Sequence, residues 1–166
     1  TGSTGDTGVS GGTGLTGDTG SAGFPVDTLL PGSLVITEII QNPDAVLDGS
    51  GEGFEVHNPA AVAVDITGLV IRDDGTDSFQ LTASTSIPAG GYLVFGSNGD
   101  VATNGGVNVD VVYSQVFLGN SDDEVVLETS TGVELDRVNY DGGPVFPDPT
   151  GASMSLDPAF TNATDN

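Results

Sequence analysis

The sequence predicts an all-β head, an antiparallel sandwich or barrel, that follows an N-terminal segment with glycine at every third position. Short apolar runs rich in Val, Ile, Leu and Phe alternate with clusters of Gly, Pro, Asn and Asp, as in strands joined by turns. No stretch shows the 3.6-residue apolar period of an amphipathic helix. The chain therefore divides into a repeat at residues 1–25, a junction at 26–32 and a β head at 33–166.

The repeat is defined by eight glycines in one register: Gly2, Gly5, Gly8, Gly11, Gly14, Gly17, Gly20 and Gly23. A polyproline II chain has three residues per turn, so one residue in three faces the same side. When three such chains wind together, only glycine fits at the crowded axis. The period predicts a collagen-like triple-helical stalk, a homotrimer with these glycines along its axis.

The third place of most triplets holds Thr or Ser. In this respect the run resembles bacterial collagen-like stalks, whose Gly-X-Thr triplets are often glycosylated on Thr. The resemblance implies O-glycosylation at Thr4, Thr7, Thr13, Thr16 and Thr19.

Two alternatives to the triple helix stay open. Pro25 is the only proline in the run, whereas collagen-like sequences carry ~15–20% proline, so the segment could be a flexible linker. The strand-like junction Val26–Leu30 could instead extend an open sheet edge of a neighbouring chain and build a filament.

The head contains apolar runs of strand length. We expect strands at Leu34–Ile40, Phe54–Asn58, Gly68–Arg72, Phe79–Thr82, Tyr92–Gly96, Val109–Ser114, Glu124–Glu128, Glu134–Tyr140 and Ser153–Leu156. Several of these alternate apolar and polar residues, as a half-buried strand requires. Gly90 and Gly91 supply the turn chemistry that precedes the strand at Tyr92.

The charge of the chain is extreme. It carries 24 acidic residues against two arginines and no lysine, a formal net charge of −22. This argues against binding to nucleic acid or anionic membranes, which require a basic surface. It fits an extracellular or cell-surface protein in salty or calcium-containing surroundings. Cysteine is absent, and no apolar run approaches the ~20 residues of a membrane span, so we expect no membrane insertion.

Seven short segments, in order along residues 34–158, resemble motifs of the lamin tail domain family. They are Thr37–Ile39 with Asn42–Pro43, Glu52–Asn58, Val64–Leu69, Ile87–Val94, Leu118–Asp123, Leu135–Tyr140 and Gly151–Leu156. Gly53, Leu69 and His57 depart from the aromatic residues usual at their positions. The resemblance implies an immunoglobulin-like antiparallel β-sandwich that serves interaction or spacing rather than a reaction, and in bacteria occurs in secreted proteins.

The sequence offers little catalytic chemistry. His57 is the only histidine, lysine and cysteine are absent, and no nucleophile-elbow motif is present. We therefore predict no catalytic residues and no enzymatic activity, with His57 in a structural role.

Calcium is the one cofactor that the acidic clusters suggest, because it takes six to eight oxygen ligands. The first choice is Asp73, Asp74 and Asp77, whose carboxylates crowd within five residues. Two further clusters are Asn42/Asp44/Asp48/Glu52 and Asp122/Asp123/Glu124. None has the spacing of a calcium-loop motif, and turn formation is the alternative role of these Asp residues. Arg72 and Arg137 are expected to pair with nearby acids.

Three functional hypotheses result. The first is a structural subunit of an extracellular bacterial fibre or surface appendage, self-assembling through the stalk. The second is a calcium-dependent adhesin or ligand-binding module, with glycans among its targets, on a flexible linker. The third is an accessory domain of a larger secreted hydrolase.

Overall fold

A computed structural model describes residues 23–143 and 146–160 of the chain. Its strands are β1 Phe24–Pro25, β2 Val35–Ile40, β3 Gly53–His57, β4 Val64–Asp65, β5 Val70–Arg72, β6 Ser78–Gln80, β7 Ser86–Ile87, β8 Tyr92–Gly96, β9 Val111–Val112, β10 Asp122–Glu128, β11 Glu134–Asp141 and β12 Met154–Ser155. Helix is limited there to α1 at Asp48–Gly51 and 3-10 turns at Val26–Thr28 and Pro158–Phe160. None of these is long and apolar enough to cross a bilayer. The all-β prediction is confirmed.

The strands form three sheets. Their orders are β12-β2-β3-β8-β9, β11-β10-β5-β6 and β1-β4-β7. Most neighbours are antiparallel, as predicted, but β1/β4 and β8/β9 are parallel. The antiparallel prediction is wrong for these two pairs. Parallel neighbours need a long connection instead of a tight hairpin, and residues 97–110 supply one between β8 and β9.

Strand positions follow the sequence pattern where the strands are long. β8 has the predicted bounds, and β2, β3, β10 and β11 differ from theirs by one or two residues at an end. Of the predicted strand at 109–114 only β9 forms, although its alternation is kept: Val111 and Tyr113 are buried and Val112 is exposed. The unpredicted strands β1, β4 and β7 have two residues each, which is too short for an alternating pattern.

Buried side chains from all three sheets form one hydrophobic core. At its centre the ring of Phe54 stacks on Phe95, with 5.1 Å between centroids, and on Tyr113 at 5.6 Å. Such aromatic pairs contribute about 0.5–1.5 kcal/mol each beyond the area they bury. The core thus has an aromatic layer of Phe54, Phe95 and Tyr113, although Gly53 and Leu69 are not aromatic.

The register of the five-stranded sheet defines two ends of the sandwich. Val35 and Tyr92 both pair with His57 at one end, and Ile40 and Gly96 both pair with Gly53 at the other. We call the first the stalk end, because β1, which follows the glycine repeat, lies there, and the second the acidic end, because Glu52 immediately precedes Gly53 and Asp48 begins the helix before it.

Candidate functional site

The last triplet of the glycine repeat is part of the stalk end. Phe24–Pro25 pairs in parallel with Val64–Asp65, and the Phe24 amide donates a hydrogen bond to the Ala63 carbonyl oxygen at 3.0 Å. At Gly23 a Cβ would lie 2.7 Å from the Asp65 nitrogen and 2.8 Å from the Ala63 oxygen. Such contacts are too short for any side chain, so glycine permits the close approach of the two backbones. Gly23 thus has a packing role within the head.

The junction is also anchored in the head. Val26 and Leu29 belong to the hydrophobic core, and the 3-10 turn Val26–Thr28 places both there. Asp27 accepts hydrogen bonds from the Ser130 amide at 2.9 Å and from the Ser130 hydroxyl at 2.7 and 2.8 Å. The strand expected at Val26–Leu30 is therefore not formed, and Val26 and Leu29 are used by their own domain, whereas Leu30 is 70% exposed.

Asn58 organises the loops of the stalk end. Its side chain is fully buried, and Nδ2 donates to the carbonyl oxygens of Val62, Pro88 and Ile87 at 2.8, 2.9 and 3.2 Å. Its Oδ1 accepts from the Ala60 amide at 3.0 Å. One buried amide thus satisfies four backbone groups and fixes the loop after β3 against the turn before β8.

These two loops present an uncharged surface. No charged residue occurs in Asn58–Val64 or in Ser86–Tyr92, in a chain with 24 acids. Phe24 is 57% exposed, Val62 45% and Tyr92 49%. We define the stalk-end surface by the exposed residues Phe24, Pro59, Ala61, Val62, Pro88 and Tyr92. It includes Phe24, which directly follows Gly23, the last glycine of the repeat.

His57 has a structural position at the same end. It is 8% exposed, its ring stacks on Tyr92 with centroids 4.2 Å apart, and Nδ1 lies 3.1 Å from the Gly91 carbonyl oxygen. These contacts place His57 in the sheet, as the sequence predicted.

The structure does not bring Asp73, Asp74 and Asp77 together as metal ligands. Asp73 Oδ1 accepts from the amides of Gly75 and Asp77, both at 2.9 Å, and so closes its own turn. Asp77 Oδ2 accepts from the Phe117 amide at 3.0 Å. In residues 23–143 and 146–160 no group of three or more His, Cys, Asp and Glu is arranged to hold a metal ion. Calcium binding stays a prediction that a calcium titration of the melting temperature tests.

Asp74 instead belongs to an ion-pair network with both arginines of the chain. Arg137 binds its carboxylate with two nitrogens, at 2.8 and 2.9 Å, and binds Glu134 at 3.0 Å. Arg72 lies 3.2 Å from Asp74 and 2.9 Å from Glu128. The guanidinium of Arg137, more than that of Arg72, holds the pKa of Asp74 below its usual range. The expected pairing of Arg72 and Arg137 with acids is confirmed.

This network covers a valine on the outer face of the sheet. Val126 pairs in register with Arg72 on one side and with Arg137 on the other. It is fully buried although it is not part of the hydrophobic core. Because residues in register share a face, the aliphatic stems of the two arginines lie beside Val126. Both arginines therefore have a packing role and an electrostatic one.

The acidic end holds a buried carboxyl group, that of Glu52, which the sequence indicated only as a member of a possible calcium cluster. Glu52 is 5% exposed, and Oε2 accepts from the Leu118 amide at 3.3 Å. Burial, together with the charges of Asp48 and Asp123, raises its pKa to about 7. Asp123, from a cluster far away in the sequence, thus lies close to Glu52 and Asp48, and Asn120 donates to Asp48 at 2.9 Å. Only the fold brings them together, so neighbouring positions in the sequence gave no signal.

Two tyrosines lie within the field of these carboxylates. The hydroxyls of Tyr113 and Tyr140 are buried and have no hydrogen-bond partner in the described part of the chain. Burial raises the pKa of each hydroxyl, and the charge of Glu52 raises both further. Above neutral pH the acidic end therefore holds the buried negative charge of Glu52 close to the hydroxyls of Tyr113 and Tyr140, which remain uncharged.

A surface groove of about 660 Å³ lies along β2, β11 and β12. Beside it the hydroxyl of Ser153 donates to Glu38, one of the residues that line the groove. The amide of Ile36, at its wall, donates to Asp136 Oδ2 at 2.6 Å. The polar groups of the groove thus connect the strands around it.

The predicted roles of the repeat residues other than Gly23 concern positions outside the described residues. This applies to the axis glycines from Gly2 to Gly20 and to the five threonines from Thr4 to Thr19.

Comparison with known families identifies the head. The family model of the Lamin Tail Domain matches residues 30–142, which is more than half of the chain. The match covers the core strands β2 to β11 and both ends of the sandwich. A search of curated proteins found no match.

Proposed function

The chain belongs to the lamin tail domain family, and we propose that it is a non-enzymatic structural subunit of an extracellular bacterial fibre or surface appendage. In this proposal residues 1–22 form a collagen-like stalk, and the β-sandwich that begins at Gly23 is its head. Three chains associate through the stalk, with the glycines of the repeat at the common axis. The threonines face outward and carry glycans.

The observation that carries the proposal is the junction between repeat and head. The register of glycines continues to Gly23, where an added Cβ would lie 2.7 Å from the Asp65 nitrogen in β4. Phe24 is hydrogen-bonded to Ala63, and Val26 is in the core. The last triplet, Gly23–Pro25, is directly followed by the core residue Val26, so no flexible linker separates the two. A rigid connection of this kind transmits force and fixes the orientation of the head relative to the stalk. A binding module on a flexible linker does not require either.

The charge of the chain supports the extracellular assignment and the choice of partner. With −22 charges, the surface repels nucleic acid and anionic lipid. Both arginines of the chain are bound to carboxylates in the head, so no basic patch remains on the described surface. Self-association through a repeat with only two acids, Asp6 and Asp18, fits this surface better than recognition of an anionic partner.

A matched pair of substitutions in the repeat tests the proposal. Gly11 is in the register of three and Gly12, its neighbour, is not. In a triple helix Gly11→Ala places a methyl group at the crowded axis, whereas Gly12→Ala places it outside. We expect Gly11→Ala to lower the midpoint of trimer dissociation, followed by circular dichroism and sedimentation, and Gly12→Ala to leave it unchanged or raise it.

A flexible linker predicts a different result. Both substitutions would then leave the mass and the dichroism of the chain unchanged, because no axis exists. Equal behaviour of the two variants contradicts the proposed stalk.

A further inference from the structure

We infer that the stalk-end surface, defined above by Phe24, Pro59, Ala61, Val62, Pro88 and Tyr92, is a homotypic interface at which the heads of associated chains contact one another. The occupant of the surface is thus a second copy of this chain. The inference rests on the proposed function, since the stalk is what brings the copies together.

The first argument is the composition of the surface. Phe24, Val62 and Tyr92 are each about half exposed, and prolines and alanines fill the positions between them. Asn58 holds both loops in one conformation through four hydrogen bonds. The apolar groups are therefore presented on a fixed backbone, which reduces the entropy lost when a partner binds.

The second argument is charge. Two copies that each carry −22 charges repel, and screening in ~0.1 M salt reaches only about 10 Å. Close contact between copies is therefore least costly where carboxylates are absent. The loops 58–64 and 86–92 meet that condition. Asp27, the acid of the junction, directs its carboxylate to Ser130. The opposite end holds Asp48, Glu52 and Asp123, and contact there would bury like charges.

The third observation is position. Residues 1–22 precede Gly23, and Gly23 packs against Ala63 and Asp65, next to the exposed residue Val62 of this surface. Chains that associate through the repeat must therefore place their stalk ends beside one another. Because no flexible residues separate the last triplet from the head, the effective concentration of one head near the next is high. The short repeat alone stabilises the trimer only weakly. A modest apolar contact between the heads then adds to that stability.

The test places a charge on this surface in the full chain. Val62→Asp adds a carboxylate at an exposed position whose carbonyl oxygen, not its side chain, binds Asn58. The matched control is Leu47→Asp, which adds the same charge at an 83% exposed apolar residue of the acidic end. We expect Val62→Asp to raise the concentration for half-dissociation of the trimer by about tenfold or more, and Leu47→Asp to leave it unchanged.

The outcomes separate the inference from the proposed function. If the wild-type chain is trimeric and both variants dissociate as it does, the head interface is refuted and the stalk stands. If the wild-type chain is monomeric, both are refuted. Should Val62→Asp alter the unfolding of the head itself, Ala61→Asp, also exposed, replaces it with the same expectation.

Discussion

The amide nitrogen of Phe24 lies 3.0 Å from the carbonyl oxygen of Ala63, and this hydrogen bond joins the glycine repeat to the sandwich. It begins a short parallel pairing in which the chain runs beside β4 before it turns into the core at Val26. The head therefore starts inside the repeat. A boundary drawn after Pro25 would remove part of a sheet.

The close approach at Gly23 predicts a large effect of a single methyl group. Gly23→Ala puts Cβ within 2.8 Å of backbone atoms of Ala63 and Asp65, which cannot give way as a side-chain tip could. We expect the loss of β1 pairing and a fall in head stability of about 1–3 kcal/mol, measured by chemical denaturation. Gly49→Ala is the control, because nothing lies within 4 Å of its Cβ. Equal stability of the two variants would show that β1 is not paired as described.

The stability of the head should depend strongly on a single atom of Asn58, its side-chain nitrogen. In Asn58→Asp the nitrogen that donates to three carbonyl oxygens becomes an oxygen, which repels all three. We expect the free energy of unfolding to fall by about 2–4 kcal/mol at neutral pH. Asn139→Asp makes the same change at an exposed residue beside Arg137 and should have little effect. A mild phenotype of Asn58→Asp would contradict its place at the centre of the loops.

Glu52 predicts the direction of the pH dependence of stability. Burial raises its folded pKa to about 7 from an ordinary 4.5, so the folded state binds a proton more tightly than the unfolded state. Stability from this group is therefore present below about pH 4.5 and is lost as the pH rises through 7, by up to about 3 kcal/mol. Glu52→Gln cannot ionise and should remove this loss. At about pH 8 we expect it to be more stable than the wild type, and near pH 5 similar to it.

The control for Glu52 is Asp44→Asn, which removes one charge from an exposed residue of the same end. It should shift stability slightly and leave the slope between about pH 5 and pH 8 unchanged. Parallel stability curves for Glu52→Gln and the wild type would refute the raised pKa.

The ion-pair network predicts the opposite dependence in acid. The pKa of Asp74 is lowered mainly by Arg137, so the stability from this pair is present above the ordinary pKa and lost as the pH falls through the lowered one. Arg137→Lys keeps the charge and loses the two-nitrogen contact with Asp74. We expect a melting temperature lower by about 2–5 °C at neutral pH, and convergence with the wild type in strongly acidic solution. A difference that persists in acid would assign the effect to packing on Val126 alone.

Long strands and their faces could be predicted from the sequence because each carries its own signal. The strand at Tyr92–Gly96 follows a glycine turn and has the predicted bounds. The alternation at Val111, Val112 and Tyr113 matches the observed burial. The strands at the stalk end could not be predicted in this way, because two residues have no period.

Side-chain clusters were less predictable, for two physical reasons. Asp73 and Asp77 are close in sequence, but their carboxylates accept hydrogen bonds from backbone amides. Turns and metal sites both favour Asp, so the sequence alone could not distinguish them. Glu52 and Asp123 come together only through the sheet topology. Asn58 stands in a motif that resembles the family, yet its acceptors are carbonyl oxygens, which every sequence contains.

The central claim is that the repeat assembles three chains and the head begins at Gly23. Sedimentation equilibrium, in the cold, of the full chain and of a chain that starts at Gly23 tests it most directly. We expect the full chain to have three times the mass of one copy and to show a collagen-type dichroism band. We expect the shortened chain to sediment as a folded monomer without that band. A full chain that sediments as a monomer at every concentration would contradict it.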